Sequence, residues 1–118
     1  MPCVHTSTIG SASSWLAERA AVRAVAQQPV TTNFMGLFKP LDYWTWAREV
    51  DVVSNDHYLE AHDPEGYVEL AFSADLTRGL AGGRPWLLME HSTSAVNWQP
   101  RNRAKLPGEM IRNSLAHV

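Results

Sequence analysis

An α/β fold on parallel strands is predicted by three features of the sequence. Segments with apolar or small residues at helical spacing alternate with short β-branched or apolar runs. The resulting order is α-βα-βα-βα, with helices long enough to carry right-handed crossovers between parallel strands. Each predicted strand also runs out into polar residues, and in parallel sheets that C-terminal edge is where ligands bind.

The first dozen residues are rich in Ser and Thr and predict an irregular leader, residues 1–14. Leu16, Ala20 and Ala24 repeat by four, as do Arg19, Arg23 and Gln27, which predicts a helix from Trp15 to Gln28. Ser14 is placed to cap it and Pro29 to end it. Residues 29–36 are β-branched and apolar and end at Gly36, the first predicted strand. Pro40 opens a second helix through about Val50, with Leu41, Trp44 and Ala47 at helical spacing.

Residues 51–58 form the second predicted strand, ending in Asn55, Asp56, His57 and Tyr58. Asp63, Pro64 and Glu65 are a helix-start signature: a cap, Pro in the first turn, and acid at the positive end of the dipole. Val68, Phe72, Leu76 and Leu80 form an apolar stripe by fours, and Gly82-Gly83 supplies the stop. Residues 85–89 read as a third strand, apolar on both faces as a buried parallel strand should be. A polar loop from about Glu90 to Pro107 leads to a last helix over residues 109–118.

Composition narrows the functional classes. The chain has 118 residues, 45% hydrophobic and 19% charged, which is globular rather than disordered. Ten Lys plus Arg against twelve Asp plus Glu, a net charge of −2, give no electrostatic case for nucleic acid or an anionic membrane. No apolar stretch approaches the roughly 20 residues that cross a bilayer. The start lacks the basic region and apolar core of a secretion signal, so a cytoplasmic chain is expected. Cys3 is the single cysteine, which excludes an internal disulfide and a Cys-based zinc cluster.

The chemistry gathers at the predicted strand ends. Glu90 follows four apolar residues where the third strand leaves the sheet. A carboxylate there is costly unless paired, so Glu90 is either a site acid or a structural acid that caps a turn or meets an Arg. Trp98, eight residues on in a polar loop, offers a flat apolar face for a sugar ring or else anchors its loop. Asp56 and Tyr58 are candidates for contact with a polar ligand, while Asn55 and His57 read as turn residues. Asn33 stands at the end of the first strand. His57 with Asp56 and Glu60 matches no zinc spacing, so no metal and no cofactor is expected. Arg101, Arg103 and Lys105 read as a solvated loop or surface pair, and Trp44, Trp46 and Trp86 as packing. No nucleophile elbow, P-loop or dinucleotide fingerprint occurs.

Several stretches carry a family resemblance: residues 30–36, 39–44, 51–58 and above all 84–92, followed by 94–100 and Pro107-Gly108. From about Trp15 to Val118 the chain resembles the β-galactosidases of glycoside hydrolase family 42. Residues 1–14 do not share that likeness. The resemblance implies a partial (β/α)8 TIM-barrel catalytic domain over residues 15–118, with the three strands matching barrel strands 5, 6 and 7. It implies retaining hydrolysis of terminal β-galactosides, with Glu90 as nucleophile and Trp98 against the galactose. Asp56 and Tyr58 fall on the pocket-lining part of the strand-6 match.

The departures matter equally. The family's acid/base is a Glu after an Asn at the end of strand 4, and no Asn-Glu pair occurs in this sequence. Zinc-binding members use cysteines upstream of this region, so no metal carries over. The 118 residues are therefore expected to be less than half of a barrel of ~250 residues, inactive and prone to self-association alone. A galactoside is the expected partner, with no nucleic acid or membrane, and family members are often homotrimers. Two other readings stand beside this one: a non-catalytic sugar-binding or structural barrel remnant, and another retaining glycosidase of the same barrel clan.

Overall fold

Three short parallel strands form one sheet in the order β1-β2-β3, and helices precede, separate and follow them. This computed structural model describes the backbone of residues 5–118 and side chains from residue 12 onward. The elements are α1 (His5–Arg23), β1 (Asn33–Phe34), α2 (Tyr43–Trp46), β2 (Ser54–His57), α3 (Gly66–Leu80), β3 (Leu87–His91) and α4 (Glu109–Leu115). The expected α/β order is present, with both strand pairs parallel.

The boundaries differ from expectation in instructive ways. Helix α1 starts at His5, so residues 5–14 are helical where an irregular leader is expected, and Ser14 lies inside the helix. Ser and Thr disfavour a helix interior only weakly, by about half a kcal/mol each, and that is easily overridden. Residues 1–4, with Cys3, lie outside the described residues. Helix α2 is one turn long and is capped by Asp42, whose side chain accepts from Thr45 N at 3.2 Å, rather than opened by Pro40. Asp63 does not cap α3 directly; its Oδ1 accepts from Glu65 N at 2.9 Å and shapes the turn before Gly66.

The core lies between the sheet and the first two helices. Phe34, Trp46, Ala47, Val50, Val53 and Ala81 are buried together, with Trp15, Tyr43 and Trp86 packed against them. Trp15 stacks on Trp46, with ring centroids 6.1 Å apart. Burial of side chains such as Phe34 and Val53 contributes about 1.5–3 kcal/mol each. Trp44 departs from the packing role expected of it: it is exposed, with the Arg48 guanidinium 5.2 Å from its ring centroid. Asp51 ties α1 to the sheet, accepting from Val30 N at 2.6 Å and pairing with Arg19 and Arg23.

The α3 stripe turns outward, and one apolar expectation, for β3, is reversed. Helix α3 buries Gly66, Leu70, Ser73, Ala74 and Thr77, while Val68, Phe72 and Leu76 face outward. Asn55 Nδ2 donates to Ser73 Oγ at 2.9 Å, so a polar contact helps select the face that α3 turns to the sheet. Strand β3 is not buried on both faces: Leu87 and Met89 are exposed, and among the described residues only β2 pairs with it.

Candidate active site

A register irregularity in the sheet builds the site. Asn55 pairs with Leu88, but the next residue, Asp56, pairs with Glu90, so Met89 is an extra residue on β3. Side chains alternate faces along a strand, and one inserted residue exchanges the faces beyond it. Without the insertion Met89 would stand beside Asp56. With it, Asp56 and Glu90 share one face, and His57 and His91 share the other.

On the carboxylate face lies an open cavity of about 490 Å3, lined by Asn33, Met35, Asp56, Tyr58, Glu90 and Trp98. All four residues singled out from the sequence, Glu90, Trp98, Asp56 and Tyr58, therefore meet in one place. Asn33, noted as a strand end, joins them. Met35 is an addition that its sequence context does not signal. Its neighbour Gly36 has φ +58°, and a Cβ there would meet the Asp56 carbonyl at 3.3 Å, so only glycine carries the chain past β2 without strain.

Asp56 is only 7% exposed. Its Oδ2 accepts from Asn33 Nδ2 at 2.7 Å, while its Oδ1 is buried with no protein partner. Burial pushes its carboxyl above the usual range, the Asn33 bond opposes that rise, and the nearby Glu90 carboxylate adds to it. Asp56 thus lines the cavity while keeping one buried acceptor without a partner among the described residues. Glu90 is not at the end of a buried strand as expected; it is the fourth of five residues in an exposed edge strand. Its Oε2 accepts from the Tyr58 hydroxyl, a bond that holds one carboxylate oxygen and leaves the other open.

Trp98 is 63% exposed and meets Tyr58 edge-to-face, with centroids 4.9 Å apart. Its loop is fastened by Gln99 Nε2 donating to the Tyr58 carbonyl at 3.0 Å and by Asn102 bridging Val96 N and O. So Trp98 is both held in place and open to a ligand. Asn55 and His57, expected in a turn, instead belong to β2 and are buried. A further cavity of about 490 Å3 lies between α3 and α4, and two of its charged lining residues, Arg103 and Glu109, pair with one another. The opposite face of the sheet brings His57 and His91 to His117, a cluster that sequence spacing conceals because the three residues sit far apart in the chain.

Residues 8–118 match the family described as β-galactosidase, glycoside hydrolase family 42. The chain belongs to that family. The match begins seven residues before Trp15, so it includes part of the segment expected to fall outside it. A β-galactosidase from Arthrobacter sp is 70% identical over 92 residues, covering 76% of this chain and 13% of the relative. The β-galactosidase BbgII of Bifidobacterium bifidum is 46% identical over 110 residues, covering 88% of this chain and 15% of the relative. Among solved structures, a family-42 β-galactosidase from G. stearothermophilus superimposes with a TM-score of 0.83 at 32% identity, over 93% of this chain and 18% of that one. The β-galactosidase of Bacillus circulans sp. alkalophilus gives 0.78 at 41% identity, over 87% and 15%. The chain thus spans less than a fifth of each of these proteins.

Proposed function

We propose that this segment supplies the nucleophile and part of the galactose pocket of a retaining β-galactosidase, its strands corresponding to barrel strands 5, 6 and 7. The observation that carries the proposal is the meeting of Glu90, Tyr58, Asp56 and Trp98 in one cavity on the carboxylate face of a parallel sheet. A terminal galactoside is the substrate class: Trp98 offers an apolar face to the ring, and the Asp56 carboxyl and Tyr58 line the wall beside Glu90.

In this reading the free oxygen of Glu90 attacks the anomeric carbon and forms a galactosyl ester while the glycosidic C–O bond breaks. A second carboxyl group about 5–5.5 Å away protonates the departing oxygen, then takes a proton from the water that hydrolyses the ester. Asp56 is hydrogen-bonded to Asn33 and already serves as a pocket acid. The second role belongs to a carboxyl group outside this segment, consistent with the missing Asn-Glu pair. The 118 residues alone are therefore expected to give no turnover of a chromogenic β-galactoside. Turnover near that of a full-length relative, abolished by Glu90→Gln, would overturn this.

The role of Glu90 is tested by grafting residues 8–118 into the Arthrobacter relative in place of its matching segment. Glu90→Gln in the active graft is expected to lower kcat on the order of 10^4-fold or more. Glu90→Ala with azide should yield the galactosyl azide of inverted configuration. Azide product of retained configuration would assign Glu90 to the acid/base role instead and sink the proposal.

A further inference from the structure

On the face of the sheet away from the sugar cavity, His57 of β2, His91 of β3 and His117 just beyond α4 converge. One ligating nitrogen from each lies within 4.8 Å of the others. The rings stand at 5.1 Å (His57–His117), 5.4 Å (His91–His117) and 6.4 Å (His57–His91) between centroids. His57 is 4% exposed and His117 2%. Both ring nitrogens of His57, both of His117, and Nε2 of His91 are buried without a hydrogen-bond partner among the described residues.

Five unsatisfied ring nitrogens in one pocket are costly, since buried polar atoms are nearly always paired. The remaining nitrogen, His91 Nδ1, donates to the His57 carbonyl at 3.2 Å. That bond selects the tautomer in which Nε2 carries the free lone pair, as carbonyl-anchored metal-binding histidines do.

We propose that His57, His91 and His117 form a binding site for a zinc-type divalent cation that pins the end of α4 to β2 and β3. Neutral imidazole suits zinc, and three histidines leave a fourth position for water or an anion. Tetrahedral zinc needs ligand nitrogens about 3.3 Å apart, so the 4.8 Å cluster closes by small ring rotations. Lys105 is the cation that acts on His57 and His91, with its ammonium 3.5 Å from Ser92 Oγ. An anionic fourth ligand, hydroxide or chloride, would face it. The bulge that aligns Asp56 with Glu90 also aligns His57 with His91, so the ion would clamp the strand pair that carries the carboxylates.

The test uses the metal-free 118-residue chain titrated with zinc, and with cobalt as a spectroscopic substitute. One equivalent should bind, cobalt should show tetrahedral d–d bands without a thiolate band, and zinc-edge X-ray absorption should count three imidazoles at about 2.0 Å. His57→Gln and His91→Gln should each weaken binding on the order of 100-fold, whereas Cys3→Ser and His62→Gln should leave it unchanged. Absence of stoichiometric binding, or undiminished binding in the His57→Gln and His91→Gln chains, overturns the site. Should a variant not fold, the imidazole count on the unaltered chain decides: fewer than three, or any sulfur in the shell, refutes it.

Discussion

At the scale of single residues, the candidate site rests on how Glu90 is held. Tyr58 donates to one of its oxygens, and Tyr58 is in turn fixed by Trp98 against its ring and Gln99 on its carbonyl. A hydrogen bond to a charged group is worth about 1.5–3 kcal/mol. Tyr58→Phe in the grafted enzyme is therefore expected to lower kcat about ten- to a hundredfold with little change in KM. An unchanged kcat would show that the bond does not position Glu90. The carboxylate identities were legible in sequence because a polar residue closing an apolar run is conspicuous. The Tyr58–Glu90 bond was not, because nothing in the spacing of residues 58 and 90 brings them together.

At the scale of elements, α4 shows how a helix without a side-chain cap is secured. Gly108 at its N-cap offers no side chain, and Glu109 takes over, accepting from Leu106 N at 2.6 Å and pairing bidentately with Arg103 at 2.7 and 2.8 Å. Arg103 Nε also donates to the Ala61 carbonyl, which joins α4 to the segment between β2 and α3. The hydrogen-bonded Arg103, with Leu106 N, holds the Glu109 carboxyl down to about 2. A depressed carboxylate stabilises the fold above its unfolded pKa of 4.5, and that contribution is lost as pH falls toward 2. The unaltered chain should thus lose more stability between pH 4.5 and 2 than Glu109→Gln, measured by denaturant midpoints along the titration. Parallel loss in both chains would remove Glu109 from the account. The surface pairing of Arg103 was among the sequence expectations; its partner could not be named from sequence, since Glu109 lies beyond Pro107.

At the scale of the whole molecule, large apolar side chains of α3, of α4 and of the sheet edge stay uncovered among the described residues. Val68, Phe72 and Leu76 on α3, Ile111 and Leu115 on α4, and Leu87 and Met89 on the open edge of β3 are all exposed. Contiguous apolar surface and unpaired strand edges promote association. The isolated 118 residues are expected to self-associate in sedimentation experiments, and Val68→Lys with Phe72→Lys should raise the monomer fraction without changing the far-ultraviolet spectrum. A monomer that unfolds cooperatively would contradict this. Helical periodicity identified the α3 stripe correctly as a stripe. Its direction depends on Ser73, Ala74 and Thr77, small enough to let α3 approach β2, with Ser73 Oγ accepting from Asn55 Nδ2 and Thr77 Oγ1 donating to the Ser73 carbonyl.

Local chemistry in the sequence was sufficient for the α/β order, the parallel strands, the family and the residues that gather in the cavity. Those follow from periodicity, turn residues and specific motifs, which act over a few positions. Tertiary structure alone decided the face each side chain occupies. One extra residue, Met89, aligns Asp56 with Glu90 on one side of the sheet and His57 with His91 on the other. No periodicity announces that insertion, because it exists only in the pairing between two strands thirty-odd residues apart.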